Sequence, residues 1–226
     1  MQPRFLIVET SHRVGKVALA LGAAIVAERA LDESRRHARD LAPAAQQLLR
    51  QQGWRARDLD AVIVSCGPGS YTGLRVGLMS AKTLAYATGC ALLAIETFQA
   101  IYQHVCAEHQ NIDVIADAQQ DNIYARRFGT FAEPLTIVPF EMWLESALAL
   151  HVVVTGPGLE SFADRLPPAL TMLPRETWLS QPTSLLKIGR ARFLNGERDD
   201  PFVVEPLYLR ASSAEEKWDK LHPCES

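Results

Sequence analysis

Residues 61–89 read AVIVSCGPGSYTGLRVGLMSAKTLAYATG, and this stretch limits what the rest of the chain can build. An apolar, β-branched run over residues 61–65 predicts a buried strand. It runs into a glycine-rich turn, Gly67-Pro68-Gly69-Ser70-Tyr71-Thr72-Gly73. Residues 74–88 are then periodic as a helix, with Gly89 where a left-handed stop is wanted. Strand, tight loop and helix in that order aim main-chain N–H groups at an anion, or bring two elements very close. The spacing excludes three familiar loops. Gly73 is followed by Leu74-Arg75, so the phosphate-reaching lysine of a P-loop is missing. Gly67, Gly69 and Gly73 are spaced one residue too long for G-x-G-x-x-G, and Ser70 directly follows Gly69, which rules out a G-x-S-x-G elbow. Two readings stay open: a structural tight turn, or a loop offering Gly67, Gly69, Ser70, Thr72, Gly73 and Arg75 to an anion.

The helix carries a second signal. Gly77, Ala81 and Ala85 lie four apart, with Ser80 and Thr88 close by, so small side chains form a ridge along one face. Leu74, Leu78 and Leu84 add apolar surface elsewhere on it. A ridge of this kind admits another backbone at short range, either the chain's own sheet or a second subunit.

The chain has 226 residues, enough for one large domain or two lobes sharing a core. The formal net charge of −3 argues against a free-standing nucleic-acid binder, so RNA contact would have to be local or made through a partner. Cys66, Cys90, Cys106 and Cys224 are scattered without a C-x-x-C pair, which fits a reducing compartment and gives no zinc site. Without a signal pattern before the first strand, or an apolar run of the ~18 residues that a membrane span needs, the expected location is the cytoplasm.

Along the chain, residues 5–8 predict a short buried strand ending in Glu9-Thr10-Ser11, and residues 14–21 and 24–31 a hairpin about Gly22-Ala23. Actin-like and sugar-kinase-like ATPase folds begin this way, with an acidic residue delivered toward phosphate and magnesium. Glu9 is either that residue or an ordinary polar strand end. Ser34-Arg35-Arg36-His37 leads into a helix over residues 38–52 closed by Gly53, with Pro43 near its first turn. Leu41, Ala45, Leu48 and Leu49 make its apolar stripe. A metal-binding H-x-x-x-H helix would need a second histidine four residues after His37, where Leu41 stands, so no metal is expected. Further strands are expected at residues 91–95, 112–116, 123–128 and 151–155. Helices are expected at 97–109, where Thr97 would cap, after Gly156-Pro157-Gly158 and at 182–196, with residues 140–150 a further element of the α/β second half. Residues 166–174 read as loop and Glu205-Pro206-Leu207-Tyr208-Leu209-Arg210 as an extended tail, and no internal repeat is apparent.

Several of these segments together resemble one family. Residues 66–77, Cys-Gly-Pro-Gly-Ser-Tyr-Thr-Gly-Leu-Arg-Val-Gly, resemble the G-P-G-S-[FY]-T-G-[LV]-R-[IV]-G signature of the TsaB (YeaZ) family, non-catalytic partners in bacterial tRNA threonylcarbamoyladenosine (t6A) synthesis. Ile7 to Ser11 resembles its I-D-T-[SA] start, Arg36-His37 with Leu41 and Pro43 its R-x-H-x-x-x-L-x-P helix entry, Ile115 to Tyr124 its D-A-R hairpin, and Glu205 to Arg210 its E-P-x-Y-L-R end. The resemblance implies an α/β protein of actin-like/Hsp70-like ATPase (ASKHA) fold with two α/β lobes. Residues 1–100 would form the first lobe and 101–226 the second, part of the C-terminal region packing back on the first. It implies a scaffold without catalytic residues that heterodimerises with the catalytic paralogue TsaD, has the small ATPase TsaE as third partner, and meets tRNA through the complex. Alone, such a chain would self-associate through similar surfaces, and ATP and magnesium would be used by the complex rather than held by this chain. Leu41, Ala45, Leu48 and Leu49 on one helix and Gly77, Leu78, Ala81 and Ala85 on the other would supply the partner interface. Two positions depart from the family pattern, Glu9 for aspartate and Gln119 for arginine, and both lower the expectation of nucleotide binding more than that of assembly.

Two competing functions keep the fold and change the role. An ATP-dependent phosphotransferase needs a second phosphate loop and an acidic metal ligand, for which Glu9 is the one candidate. A glycoprotease-like peptidase needs a metal pair or a Ser/His/Asp set; Ser70, His37 and Asp60 exist, but their spacing gives no reason for them to meet.

Overall fold

The computed structural model describes residues 2–31 and 37–208. The expected lead-in at Arg35-Arg36, the tail end Leu209-Arg210 and Cys224 lie outside the described residues.

The first sheet is built around β1 (Arg4–Glu9), an apolar strand buried on both faces. β2 (Lys16–Leu21) and β3 (Ala24–Ala30) follow as an antiparallel hairpin turning at Gly22, whose φ of 60° suits glycine. β3 is mostly exposed, as an edge strand should be. On the other side of β1, β4 (Ala61–Gly67) and β5 (Ala91–Glu96) run parallel to it, giving the order β3-β2-β1-β4-β5.

The crossovers are α1 (His37–Gln51) and α2 (Tyr71–Thr88). Alternation along the strands decides what each sheet face meets. Leu6, Val8, Val62 and Val64 point to one face, where they join Leu41, Leu48 and Leu49 of α1 and Leu78, Ala81 and Ala85 of α2 in one buried cluster. Phe5, Ile7 and Ile63 point to the other, where α6 (Pro182–Leu194) covers them with Leu185 and Leu186. Gly189 of α6 sits so close to β4 that a Cβ there would come within 2.7 Å of the Ile63 side chain.

The second sheet repeats the first. β6 (Ile112–Asp117), β7 (Asn122–Phe128) and β8 (Glu133–Pro139) are antiparallel neighbours, β9 (Val153–Thr155) runs parallel to β6, and β10 (Thr171–Met172) parallel to β9. The order β8-β7-β6-β9-β10 matches that of the first sheet strand for strand, a duplication of topology that residue identities do not betray. α4 (Phe140–Ala149) and the short α5 (Leu159–Phe162) cover one face through Phe140, Trp143 and Phe162. α3 (Thr97–Val105), between the two sheets in sequence, covers the other with Phe98, Ile101 and Val105.

Several boundaries differ from expectation for physical reasons. α2 begins three residues earlier than residue 74, because Ser70 caps it by accepting a hydrogen bond from the Gly73 N–H. Gly89 closes it in the left-handed conformation, φ 74°. Thr97 is the first residue of α3 rather than its cap, and that helix ends at Val105 instead of residue 109. Pro43 lies inside α1 on its exposed side, not in its first turn, where water can serve the carbonyl left unpaired. β8 and the two-residue β10 have no counterpart in the sequence reading.

After α6 the chain returns along the first sheet. Asp199 donates its N–H to the Leu92 carbonyl (2.9 Å) and accepts from the Ala94 N–H (2.7 Å), so it covers the open edge of β5. The segment then runs beside α2. Lys82 donates to the Val204 carbonyl (2.9 Å), Leu207 N–H to the Cys66 carbonyl (2.8 Å), and Tyr208 stacks on Tyr71 with centroids 4.6 Å apart.

Candidate functional site

Two places collect the residues of interest: the junction where β1, the glycine loop and the N-terminus of α2 meet, and the outer face of the α1–α2 pair.

At the junction the glycines meet the protein's own backbone. A Cβ on Gly69 would lie 2.4 Å from the Ser11 carbonyl, on Gly73 2.1 Å from the Thr10 carbonyl, and on Gly77 2.0 Å from the Thr10 hydroxyl. The Ser70 N–H donates to the Ser11 carbonyl at 2.7 Å. Loop and helix are therefore drawn onto the Thr10-Ser11 turn, the structural use of such glycines, and Gly77 belongs to this contact. Thr72 and Arg75 point away from it and are exposed; Arg75 donates to the Tyr71 hydroxyl (3.2 Å) and lies over its ring. Gly67 is buried at φ 113° against Leu207.

Glu9 does not reach outward. The residue is 1% exposed, and Oε1 accepts from the Ser11 N–H (2.7 Å), the Ser11 hydroxyl (2.6 Å) and the Ser65 hydroxyl (2.9 Å). Oε2 is buried without a hydrogen bond. Beside this corner a cleft of about 770 Å³ opens between Ser11, His12 and Ser70 on one side and Glu160, Arg175 and Trp178 on the other. Glu9 is not part of its lining, so the carboxylate that a magnesium nucleotide would require is turned into the fold. His12 accepts from the Ser180 N–H at 3.3 Å; burial pushes its imidazole below the ordinary histidine range, against the raising pull of Glu9 and Glu160 and with a small contribution from Lys16. In the second lobe, the turn after β6 holds Gln119, Gln120 and Asp121 all at positive φ (63°, 53° and 59°), with the Gln119 N–H bound to Asp117 and Asp121 paired with Arg165. His37 opens α1, and Leu41, four residues on, is buried in the core. Among the described residues no group of three or more His, Cys, Asp or Glu side chains is placed to hold a metal ion, and no helix is long and apolar enough to cross a membrane.

The α1–α2 face is different in kind. The fold uses Leu41, Leu48, Leu49, Gly77, Leu78, Ala81 and Ala85 in its own interior, and Ala45 is half-buried. An amphipathic helix buries its apolar stripe on its own sheet first, and four of these residues, Leu41, Ala45, Leu49 and Ala81, also line the groove between the two helices. A bulky residue at Ala81 or Ala85 would overpack that interior before it met any partner. What remains at the surface is an open apolar groove of about 660 Å³ between the two helices. Its outward walls are Ala42, Pro43 and Gln46 of α1 and Ser80 and Leu84 of α2, with Leu41, Ala45, Leu49 and Ala81 forming its floor. Next to it on α2, Met79 and Tyr86 stand one heptad apart and are 56% and 73% exposed. Sequence reasoning passed over this second stripe, although two large apolar residues off the core ridge of an otherwise accounted helix were the available signal.

Comparison with known proteins agrees with this geometry. The family model described as "TsaD: tRNA N6-adenosine threonylcarbamoyltransferase" matches residues 25–186. The chain is 30% identical over 190 residues to an uncharacterized protein of Mycobacterium tuberculosis, covering 84% of this chain and 82% of that one. It is 27% identical over 237 residues to the tRNA threonylcarbamoyladenosine biosynthesis protein TsaB of Bacillus subtilis, covering 94% and 96%. Among solved structures, YeaZ from Pseudomonas aeruginosa superposes with a TM-score of 0.76 at 22% identity, covering 92% of this chain and all of the other. The two sheets of matching order, with their helices, are the two α/β lobes of the actin-like/Hsp70-like ATPase fold.

Proposed function

The chain belongs to the TsaB (YeaZ) family of tRNA threonylcarbamoyladenosine biosynthesis proteins, and from that premise we propose that it is the non-catalytic subunit of the transferase assembly. In this reading it docks the catalytic paralogue TsaD through the α1–α2 face and supports threonylcarbamoyl transfer to N6 of adenosine 37 in tRNAs that read ANN codons. TsaE joins as the ATPase, tRNA is met through the complex, and ATP and magnesium belong to the assembly. Free chain pairs with itself over the same face.

The observation that carries the reading is the open apolar groove between α1 and α2, on a subunit whose one candidate acidic ligand, Glu9, is engaged by Ser11 and Ser65. A groove floored by leucine and walled by alanine, proline and serine suits an apolar helix from another chain. The family model of the transferase spans both helices, so a partner of that family would bring an equivalent pair, and two such pairs meet about a pseudo-two-fold axis. The cytoplasm is the proposed location, supported by Cys66, Cys90 and Cys106 being free thiols.

The test is reconstitution by omission, with unmodified tRNA, threonine, bicarbonate, ATP, the threonylcarbamoyl-adenylate synthase, TsaD and TsaE. Nucleoside mass spectrometry should detect t6A only when this chain is added. Equal t6A without it would remove the assembly role. Turnover of ATP by the isolated chain would speak for the phosphotransferase instead.

A further inference from the structure

An exposed aromatic patch on the outer side of α2 is built by two parts of the chain that are far apart in sequence. Tyr86, on the last turn of α2, meets Phe202 of the returning C-terminal segment edge to face, centroids 5.7 Å apart. Both are left largely in water, Tyr86 73% and Phe202 78% exposed, and the adjoining Val203 is 72% exposed. Nothing in the fold of the described residues requires them there. The segment is nevertheless held in place on either side of them, by Asp199 on the edge of β5 and by Lys82 on the Val204 carbonyl. Large apolar side chains that are exposed, contiguous and fixed by their surroundings are what binding anchors look like in a free subunit.

We propose that Phe202, with Val203 and Tyr86, is the anchor by which this subunit grips its protein partner, extending the groove between α1 and α2 along the outside of α2. This inference rests on the docking reading above and adds a part of the surface which that reading does not contain. Area is the first argument. A stable complex buries about 800 Å² on each side. The groove's outward walls are small residues, whereas one buried Phe or Tyr supplies roughly 150–250 Å². Position is the second: Met79 and Tyr86 hold the solvent side of α2, the helix whose Ser80 and Leu84 wall the groove on its other flank. The third is asymmetry. The transferase family model ends at residue 186, so Phe202 and Val203 lie beyond the segment shared with that family. A pairing built only from the shared helices would serve a second copy as well as the paralogue. An anchor on the unshared segment distinguishes the two faces, and the occupant it fits is the paralogous transferase with an apolar recess flanking its own helix pair.

The experiment is titration calorimetry of the full chain against the full-length transferase subunit. Phe202→Ala and the double change Tyr86→Ala/Phe202→Ala should raise the dissociation constant about tenfold or more, as loss of a hot-spot anchor does. Thermal midpoints should stay near wild type, because both side chains are mostly in water, and Phe131→Ala, at an exposed aromatic of the second lobe, should bind as wild type. A rise smaller than about tenfold for the double variant overturns the anchor. Ser80→Arg, which fills the groove alone, separates the two levels. Binding lost with Ser80→Arg but kept with Phe202→Ala leaves the docking reading standing without its anchor, and no binding by the wild-type chain overturns both. A Phe202→Ala chain that binds the transferase fully but no longer self-associates in sedimentation assigns the patch to a second copy, which also overturns the proposal.

Discussion

Gly77 and Thr10 are in such close contact that a Cβ on the glycine would come within 2.0 Å of the threonine hydroxyl. Helix α2 can cross the end of β1 only because position 77 has no side chain. The relation predicts that Gly77→Ala destabilises by about 1–3 kcal/mol, although alanine is the better helix former by roughly 1 kcal/mol. Urea unfolding should show a lowered midpoint, and Thr10→Ala should recover part of the loss, so the two changes add to less than their sum.

The carboxylate of Glu9 serves Ser11 and Ser65 inside the fold. Glu9→Ala is expected to cost about 1.5–3 kcal/mol, the range for hydrogen bonds to a charged group. The t6A formed per folded molecule in the reconstituted system should not change. A loss of t6A well beyond the loss of folded protein would restore Glu9 as a ligand.

In the second lobe Arg127 and Asp113 form an almost fully buried pair at 2.7 Å, which Trp143 completes by donating its indole N–H to the same carboxylate at 2.8 Å. The pair and its hydrogen bonds hold the guanidinium of Arg127 charged. Asp113→Ala leaves the buried guanidinium with only its contacts to Glu133 and Ser146 among the described residues, and the expected loss is about 3–5 kcal/mol, readable as unfolding of the variant at a much lower temperature.

His12 gives the fold a pH dependence of defined sign. Burial lowers its pKa in the folded state below the 6.5 of an exposed histidine. Above that value both states are neutral and the residue contributes no slope. As the pH falls through it, the unfolded chain takes the proton first, so folding stability drops. Urea midpoints of wild type should fall between pH 7.5 and pH 5.5, and His12→Asn should flatten that fall. An equal slope in the variant would locate the effect elsewhere.

Burial and the carboxylates of Glu96 and Asp199 push the Cys66 thiol up to about 12. At pH 8 a thiol reagent should leave Cys66 unmodified in the native protein and modify it only at the rate of global unfolding.

Much of this was legible in the residues, and the rest was hidden for reasons that can be named. Strand β4 and helix α2 were clear because a β-branched run, a glycine turn and a periodic segment all point to one arrangement. β8 was not, since Pro134 and Pro139 flank its few half-buried residues; an edge strand tolerates proline where a central strand cannot. The stripe of Leu41, Leu48 and Leu49 was read correctly as an apolar face, but periodicity does not say whether such a face meets its own sheet or another chain. The returning segment was the least visible part. Its main-chain bonds to Leu92 and Cys66 carry no side-chain signal, so the meeting of Phe202 with Tyr86 could not be anticipated from spacing.

The placement of α6 has a consequence for how the protein is born. The sheet begun by residue 4 has Ala100 of α3 against the face of Phe5, Ile7 and Ile63 but lacks its main cover until residues 182–194 arrive. On a translating ribosome the first lobe therefore waits for nearly the whole chain, exposing an apolar sheet face meanwhile. A truncation after residue 100 would leave that face open for good, so the two lobes are two layers of architecture and one unit of folding.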